Sequence, residues 1–261
     1  MEQSNCYDFP QYWDLAFGED TKLEADFVEA AVRRYCSFSL SRVYEPGCGG
    51  GRLVMELARR GHDVTGCDLS HASIAWLQSQ LQSEGLSAAV SVADMRDPVP
   101  AADLQDAAYC FVNTFRHLLT EEDATRHLHS VASMLRPGGL YLLGLHLLPP
   151  DADEEDEESW QVTADGTTVD MQLVVADCCR ETRQETLCFT MSVRQNDTPG
   201  QPNVFRSDYR MRLYDASQIA SLIASVPELR LLDVYDFWYD ISEPLSLNDE
   251  LADAVFVLQR V

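Results

Sequence analysis

Residues 45–52 read Glu-Pro-Gly-Cys-Gly-Gly-Gly-Arg, with glycine at four of the five positions from 47 to 51. The run follows a short apolar segment, Arg42-Val-Tyr-Glu45, and precedes a helical pattern from Leu53 to Arg60. Glycine at such a junction permits left-handed torsions and lets the backbone approach a ligand that a β-carbon would hold off. A glycine loop between strand and helix points to an α/β fold with its ligand at the loop.

The flanking pattern agrees. Strands are predicted at 42–45, Asp63–Cys67, Ala88–Ala93, Asp106–Val112 and Leu140–His146. Helices alternate with them: Ser70 is placed to cap one that ends at Glu84 before Gly85, and Thr120-Glu-Glu-Asp opens another that Arg136-Pro-Gly-Gly139 is expected to close. Near-continuous apolar strands alternating with helices imply a parallel sheet covered on both faces. The pattern breaks at Pro149-Pro150 and the acidic run 151–158, read as a solvated loop with cation binding as a lesser alternative. From Trp160 to Tyr214 it is β-type and turn-rich, with turn signals at Gly166, Asn196-Asp197 and Pro199-Gly200. A helix from Asp215 and strands at Arg230–Phe237 and Ala254–Arg260 then complete the chain. The division expected is 1–40 as a helical cap, 41–149 as the core, 150–214 as acidic loop and antiparallel insertion, and 215–261 as the end of the core.

Two ligand chemistries use a loop of this kind. Dinucleotide loops require G-x-G-x-x-G. Counted from Gly47 the third glycine position holds Arg52, and counted from Gly49 it holds Val54, so neither count completes it. The spacing that fits is E-x-G-x-G-x-G, which resembles motif I of the class I S-adenosylmethionine (SAM)-dependent methyltransferases. The remaining landmarks stand in the family's order: Asp68-Leu69 after the second strand, Asp94-Met95 after the third, Tyr109 to Leu118 where motif IV belongs, and Arg136-Pro-Gly-Gly139 before the fifth.

That resemblance implies a Rossmann-like seven-stranded sheet with helices on both faces, a reversed last strand and an inserted antiparallel β cover. It is most specific from Val43 to His146 and extends over residues 7–261. It also implies SAM as cofactor, with S-adenosylhomocysteine as product, bound by Glu45, Gly47, Cys48, Gly49 and Gly51 at the amino-acid end. Asp68 and Leu69 would serve the ribose, Asp94 and Met95 the adenine, and Phe111 the methyl-donor side. Tyr7-Asp8 and Tyr12-Trp13 resemble the family's N-terminal tyrosine segment that folds over the cofactor, and Tyr12 is placed in that site.

Charge narrows the partners. The 261 residues carry 43 acids against 19 Lys and Arg, a formal charge of −24, and Lys22 is the only lysine. A nucleic-acid or anionic-membrane partner needs concentrated positive charge, so neither is expected; a small-molecule acceptor is expected, with a protein acceptor left open. No apolar run approaches a membrane span. Met1–Pro10 lacks the basic residue of a secretory signal, and eight cysteines without a C-x-x-C pair read as free thiols; the expected setting is cytoplasmic, as monomer or homodimer, with no metal.

Methyl transfer needs alignment of donor and acceptor, and a base where the acceptor arrives protonated. His117 and His146 each follow the carboxyl end of a central strand and are the candidate catalytic residues, as base or substrate contact, with packing as the alternative role. Asn113 is a candidate acceptor contact or a loop brace, and Arg96 and Arg116 are candidate carboxylate partners or salt bridges. His127 and His129 are expected to face solvent, and His62 and His71 to be incidental. Most of Tyr7, Tyr12, Trp13, Trp160, Tyr235, Phe237, Trp238 and Tyr239 are read as core between cover and sheet. The function expected is methyl transfer to nitrogen or oxygen of a small molecule. Alternatives are a non-catalytic SAM-binding protein and an NAD-dependent oxidoreductase.

Overall fold

A computed structural model of the chain describes residues 6–153, 157–196 and 200–261. A 3-10 turn at Cys6–Asp8 leads into α1 (Pro10–Ala16) and α2 (Thr21–Tyr35). There follow β1 (Arg42–Pro46), α3 (Arg52–Arg59), β2 (Asp63–Asp68), α4 (His71–Glu84), β3 (Ala89–Val92) and β4 (Gln105–Cys110). A second 3-10 turn (Thr114–His117) precedes α5 (Glu121–Met134) and β5 (Leu135–His146). Next come β6 (Glu157–Ala164), β7 (Thr167–Cys179), β8 (Gln184–Gln195) and β9 (Asn203–Arg212), and finally α6 (Ala216–Ala224), β10 (Leu229–Tyr235) and β11 (Asp253–Arg260).

Among the described residues, seven strands form one sheet in the order β10-β11-β5-β4-β1-β2-β3. Strands β1 to β5 are mutually parallel, and β11 runs antiparallel to both β5 and β10. Side chains on β5 alternate between two cores: Leu140 and Leu142 pack towards α2 to α4, Tyr141, Leu143 and Leu145 towards α5 and α6. Burial on both faces is why the segment reads as an unbroken apolar run. The fold is the Rossmann-like α/β arrangement expected from the sequence.

Local chemistry sets the helix ends. The Ser70 hydroxyl accepts the Ser73 N–H at 3.1 Å and Gly85 closes α4 at φ +66°; Thr120 accepts the Asp123 N–H, and Asp215 with Gln218 forms a reciprocal capping box. Each such cap contributes about 1 kcal/mol.

Two expectations are corrected. Arg136-Pro-Gly-Gly139 does not separate α5 from β5: α5 stops at Met134, Leu135 already pairs with Gln105, and the tetrapeptide lies within β5 where the register against β4 shifts. A β-carbon on Gly139 would stand 2.9 Å from the Arg136 carbonyl oxygen, so the irregular strand accepts glycine there and nothing larger. His127 does not face solvent. It is fully buried, Nδ1 2.8 Å from the Met95 carbonyl oxygen and Nε2 2.7 Å from Tyr141 Oη, and burial pushes its ring down to about 4. It lies on the stripe that also buries Ala124, Leu128 and Val131.

The insertion is a four-stranded antiparallel sheet, β6-β7-β8-β9. Asp165 and Gly166, both at positive φ, turn β6 into β7, the two-residue hairpin geometry that Asp-Gly favours. Strand β8 alternates buried and half-buried residues, and its inner Phe189, Met191 and Val193 join Val169, Met171, Cys6 and Ala16 in a third core. Trp13 packs on Phe189 and Phe17 on Trp160, so the N-terminal segment is fastened to the cover. Of the remaining aromatics singled out, Tyr235 and Tyr239 pack on Phe27, while Trp238 is 80% exposed. Residues 154–156 of the acidic run and 197–199 of the expected turns lie outside the described residues. Among those described, no helix is long and apolar enough to cross a membrane, and no group of three metal-ligating side chains comes together.

Candidate active site

A cavity of about 1200 Å³ opens between the carboxyl ends of the central strands, the N-terminal segment and the cover. A typical small-molecule pocket is roughly 300–1,000 Å³, so this one has room for two reactants. Its floor is the glycine loop. Gly47, Gly49 and Gly51 have φ of +71°, +54° and +83°, torsions that favour glycine. A β-carbon on Gly47 would meet Thr114 Cγ2 at 2.4 Å, on Gly50 the Asp14 carboxylate at 2.3 Å, and on Gly51 the Leu77 side chain at 2.3 Å. On Gly49 it would meet nothing within 4 Å. Three glycines thus let the loop fold against its supports, while the fourth leaves a space.

Asp68, at the end of β2, braces that loop: Oδ2 accepts the Gly49 N–H and Oδ1 the Ser70 N–H, both at 2.8 Å. Each carboxylate oxygen keeps acceptor capacity for a ligand. Leu69 beside it is 67% exposed, an apolar surface at the cavity.

Acids gather at the loop's other side. Glu45 accepts the Tyr109 hydroxyl at 2.8 Å, and desolvation pushes its carboxyl up to about 8. Asp14 on α1 accepts the Trp76 indole N–H at 3.1 Å and is pushed up to about 6, again by desolvation. The neighbouring cation, Arg52, is committed elsewhere, forked onto buried Glu24 at 2.5 and 2.8 Å. Among the described residues this end of the cavity holds the Glu45 and Asp14 carboxyls and no uncommitted positive charge, a receptacle suited to a cation.

Beyond β4 the chain turns sharply. Val112 and Asn113 both have positive φ, +51° and +64°, unusual for any residue and more so for β-branched valine. Asn113 Oδ1 accepts the His146 backbone N–H at 2.8 Å, so its amide braces the loop. Arg116 is buried, paired with Glu185 of β8 and donating Nε–H to the Arg212 carbonyl at 2.9 Å. It ties the core to the cover and makes no surface salt bridge. Arg96 is likewise committed, to Asp94 and Asp123.

The two candidate histidines line the cavity in different settings. His117 Nε2 lies 3.0 Å from Tyr7 Oη, with Tyr209 also against the ring, and desolvation holds it down at about 4, leaving it neutral. His146 Nδ1 lies 2.5 Å from Asp253 Oδ1, both side chains half-exposed. Burial pushes the Cys48 and Cys110 thiols up, Cys110 to about 12, so neither is a thiolate nucleophile.

Of the residues expected at the site, Glu45, Gly47, Cys48, Gly49, Asp68, Leu69, Met95, Phe111, His117 and His146 line this cavity. Three do not. Tyr12 stacks on Phe9 and Phe205, Gly51 caps α3 behind the loop, and the Asp94 carboxylate is turned onto Arg96. Sequence reasoning missed Asp14, Asp253, Glu185 and the cavity-facing His71. Asp14 stands one residue beyond the N-terminal pair already singled out, so extending that segment would have found it. Asp253 has no local signal, because only the β11–β5 register sets it opposite His146.

Comparison with known proteins agrees with this geometry. Residues 43–139 match a family model described as a methyltransferase domain. A ubiquinone biosynthesis O-methyltransferase of Chromobacterium violaceum is 31% identical over 124 residues, 46% of this chain and 49% of that protein. The chain spans about half the length of the curated relatives it matches. A crystal structure of an S-adenosylmethionine-dependent methyltransferase from Clostridium acetobutylicum superposes with a TM-score of 0.77 at 16% identity, over 98% of this chain and 99% of that one. SAM-bound CalS10, an amino pentose methyltransferase from Micromonospora echinaspora, gives 0.69 at 18%, over 93% and 91%. Residues 43–139 match a methyltransferase domain model, and the described chain has the fold of class I SAM-dependent methyltransferases.

Proposed function

We propose that this protein is a SAM-dependent methyltransferase that methylates nitrogen or oxygen of a small molecule. The observation that carries the reading is the Gly49–Asp68 clamp opening into a cavity large enough for two reactants. The free space at Gly49 and the carboxyl pair of Glu45 and Asp14 suit the α-ammonium group of the cofactor's zwitterionic amino-acid end. Asp68 would take the ribose hydroxyls, with Leu69 and Met95 against the rings. Asp94 would reach the adenine amine only by releasing Arg96, Gly51 would act from behind the loop, and Tyr12 would act through its packing on Phe9 and Phe205. When bound, the cofactor supplies an activated methyl group.

The chain's own residues do the rest. Phe111 and the strained 112–113 turn shape the cavity wall at the end of β4, Tyr7 and Trp13 line it from the N-terminal segment, and the cover would exclude water from the bound reactants. His117 and Tyr7 would orient the acceptor, and His146 would take a proton from one that arrives protonated. Residues 1–40 and 150–214 would act as cap and cover of the 41–149 and 215–261 core, in a cytoplasmic monomer or homodimer. The charge of −24 supports a small-molecule acceptor over nucleic acid or membrane.

The test is transfer of isotope-labelled methyl from SAM to a panel of amines, phenols, alcohols and carboxylates. Labelled small-molecule product is expected. SAM binding with no product across the panel would instead make the protein a non-catalytic SAM binder.

A further inference from the structure

We propose that the acceptor is a small amine on an apolar body, arriving as its ammonium ion, and that the His146–Asp253 pair takes its proton. This rests on the methyltransferase reading above and gives that site its substrate class.

Charge on the acceptor side of the cavity decides the class. Its wall is apolar, with Leu173, Leu187, Phe189 and Met211 contributed by the cover. Asp153, Glu158, Glu185 and Asp253 line it, and of the two arginines among the described lining residues Arg116 is buried against Glu185 and Arg52 is forked onto Glu24. A carboxylate, phosphate or phenolate would enter a negative cleft with no uncommitted cation among the described residues, whereas an ammonium group would be attracted. The apolar wall would cover the rest of such a molecule.

An ammonium nitrogen has no lone pair, so the same negative cleft that attracts it makes a base necessary. Asp253 on β11 stands directly opposite His146 on β5 in the antiparallel register. With Nδ1–H directed at that carboxylate, Nε2 is left to accept a proton, and the carboxylate stabilises the imidazolium that forms. His117 is less suited, since its Nε2 is engaged by Tyr7. The proton passes from the ammonium nitrogen to His146 Nε2 and then to solvent. The freed nitrogen pair forms the new N–C bond as the donor's C–S bond breaks, its electrons leaving on sulfur. Asp253 is a positioning residue, and the titratable or charged groups sharing the cavity with the pair are Asp153, Glu158, Glu185, Arg116 and His117, with Tyr209, Tyr214 and Cys178 of the cover side and Tyr7, Asp8, Asp14, Glu45, Cys48, Arg52, Asp68 and His71 around the glycine loop.

The experiment uses the full chain saturated with S-adenosylhomocysteine and titrated, by chemical shift, with benzylamine, benzyl alcohol and phenylacetate, probes that differ in charge on one aromatic body. Benzylamine is expected to bind at least about tenfold tighter than phenylacetate. Equal or reversed affinities overturn the substrate class while the cofactor reading stands. Failure of S-adenosylhomocysteine itself to bind removes the cofactor reading and this proposal with it. For the base, D253N is expected to lower kcat for benzylamine N-methylation at pH 7 by at least about tenfold with KM little changed. The deficit is expected to shrink towards pH 9.5, where more of the amine arrives deprotonated. A deficit constant with pH, or no N-methylbenzylamine from the wild type at any pH, overturns the assignment.

Discussion

His146 and Asp253 face each other across the antiparallel pairing of β5 and β11, with Nδ1 2.5 Å from Oδ1, at the carboxyl end of the central sheet. The other cavity histidine, His117, has a phenol for its partner and is held down at about 4 by desolvation. Their substitutions therefore separate. His117→Asn is expected to leave the shape of the pH–rate profile unchanged above pH 5, because a ring neutral throughout that range contributes no titration. A profile whose acidic limb moves in His117→Asn would transfer the base role to His117.

Two glycines of one loop are expected to respond differently to alanine. At Gly51 a β-carbon would meet Leu77 at 2.3 Å and φ is +83°, so Gly51→Ala combines overpacking with left-handed strain, about 2–4 kcal/mol of stability. At Gly49 the torsional cost of about 1–2 kcal/mol stands alone, while the methyl group occupies open space. Urea midpoints should fall more for Gly51→Ala, and cofactor affinity more for Gly49→Ala. The reverse order would mean that the open space at Gly49 is not the binding surface.

What the sequence revealed follows from where information is local. The sheet was legible because strands buried on both faces read as apolar runs and because Ser70, Gly85, Thr120 and Asp215 are short-range cap signals. Arg136–Gly139 was misplaced because a proline-glycine signal marks irregular backbone without saying whether the strand continues through it. His127 was misread by residue type, when its spacing from Ala124, Leu128 and Val131 already put it on the buried stripe. In the cavity, residues on the loop and strand ends were recoverable. Glu185 and Asp253 were not, because their neighbours Arg116 and His146 are 69 and 107 residues away.

Removing Glu24 should reveal how much the loop depends on a buried charge. Its side chain is 2% exposed and holds Arg52 in a fork, so Glu24→Ala strands an arginine and is expected to destabilise by about 3–5 kcal/mol. Arg59–Glu84, with both side chains well exposed, is the control: Glu84→Ala should leave the urea midpoint nearly unchanged, since solvent screens the pair. Equal effects in chemical denaturation would contradict the burial argument.

Glu45 should make stability fall as pH rises. Its carboxyl is raised from an ordinary value near 4.5 to about 8 by desolvation, so the folded protein retains a proton that the unfolded chain releases. The resulting stability is fully present below pH 4.5 and is lost as pH climbs through 8. The low values of His117 and His127 act in the opposite sense below about pH 6.5, and Asp14, raised to about 6, acts in the same sense as Glu45 mostly below that, so Glu45 dominates the window from 6.5 to 8. Glu45→Gln cannot ionise, and its urea midpoint relative to wild type should rise across that window. A constant difference would show that Glu45 is already ionised at pH 6.5.

The most direct measurement is calorimetric titration of the full chain with SAM, S-adenosylhomocysteine and NAD, repeated at pH 6 and 7.5. Micromolar binding of the first two is expected, tighter at pH 7.5 because an α-ammonium group favours Asp14 and Glu45 in their ionised forms, and none of NAD. Binding of NAD alone, or of none of the three, would contradict the assignment of the glycine loop and with it the proposed function.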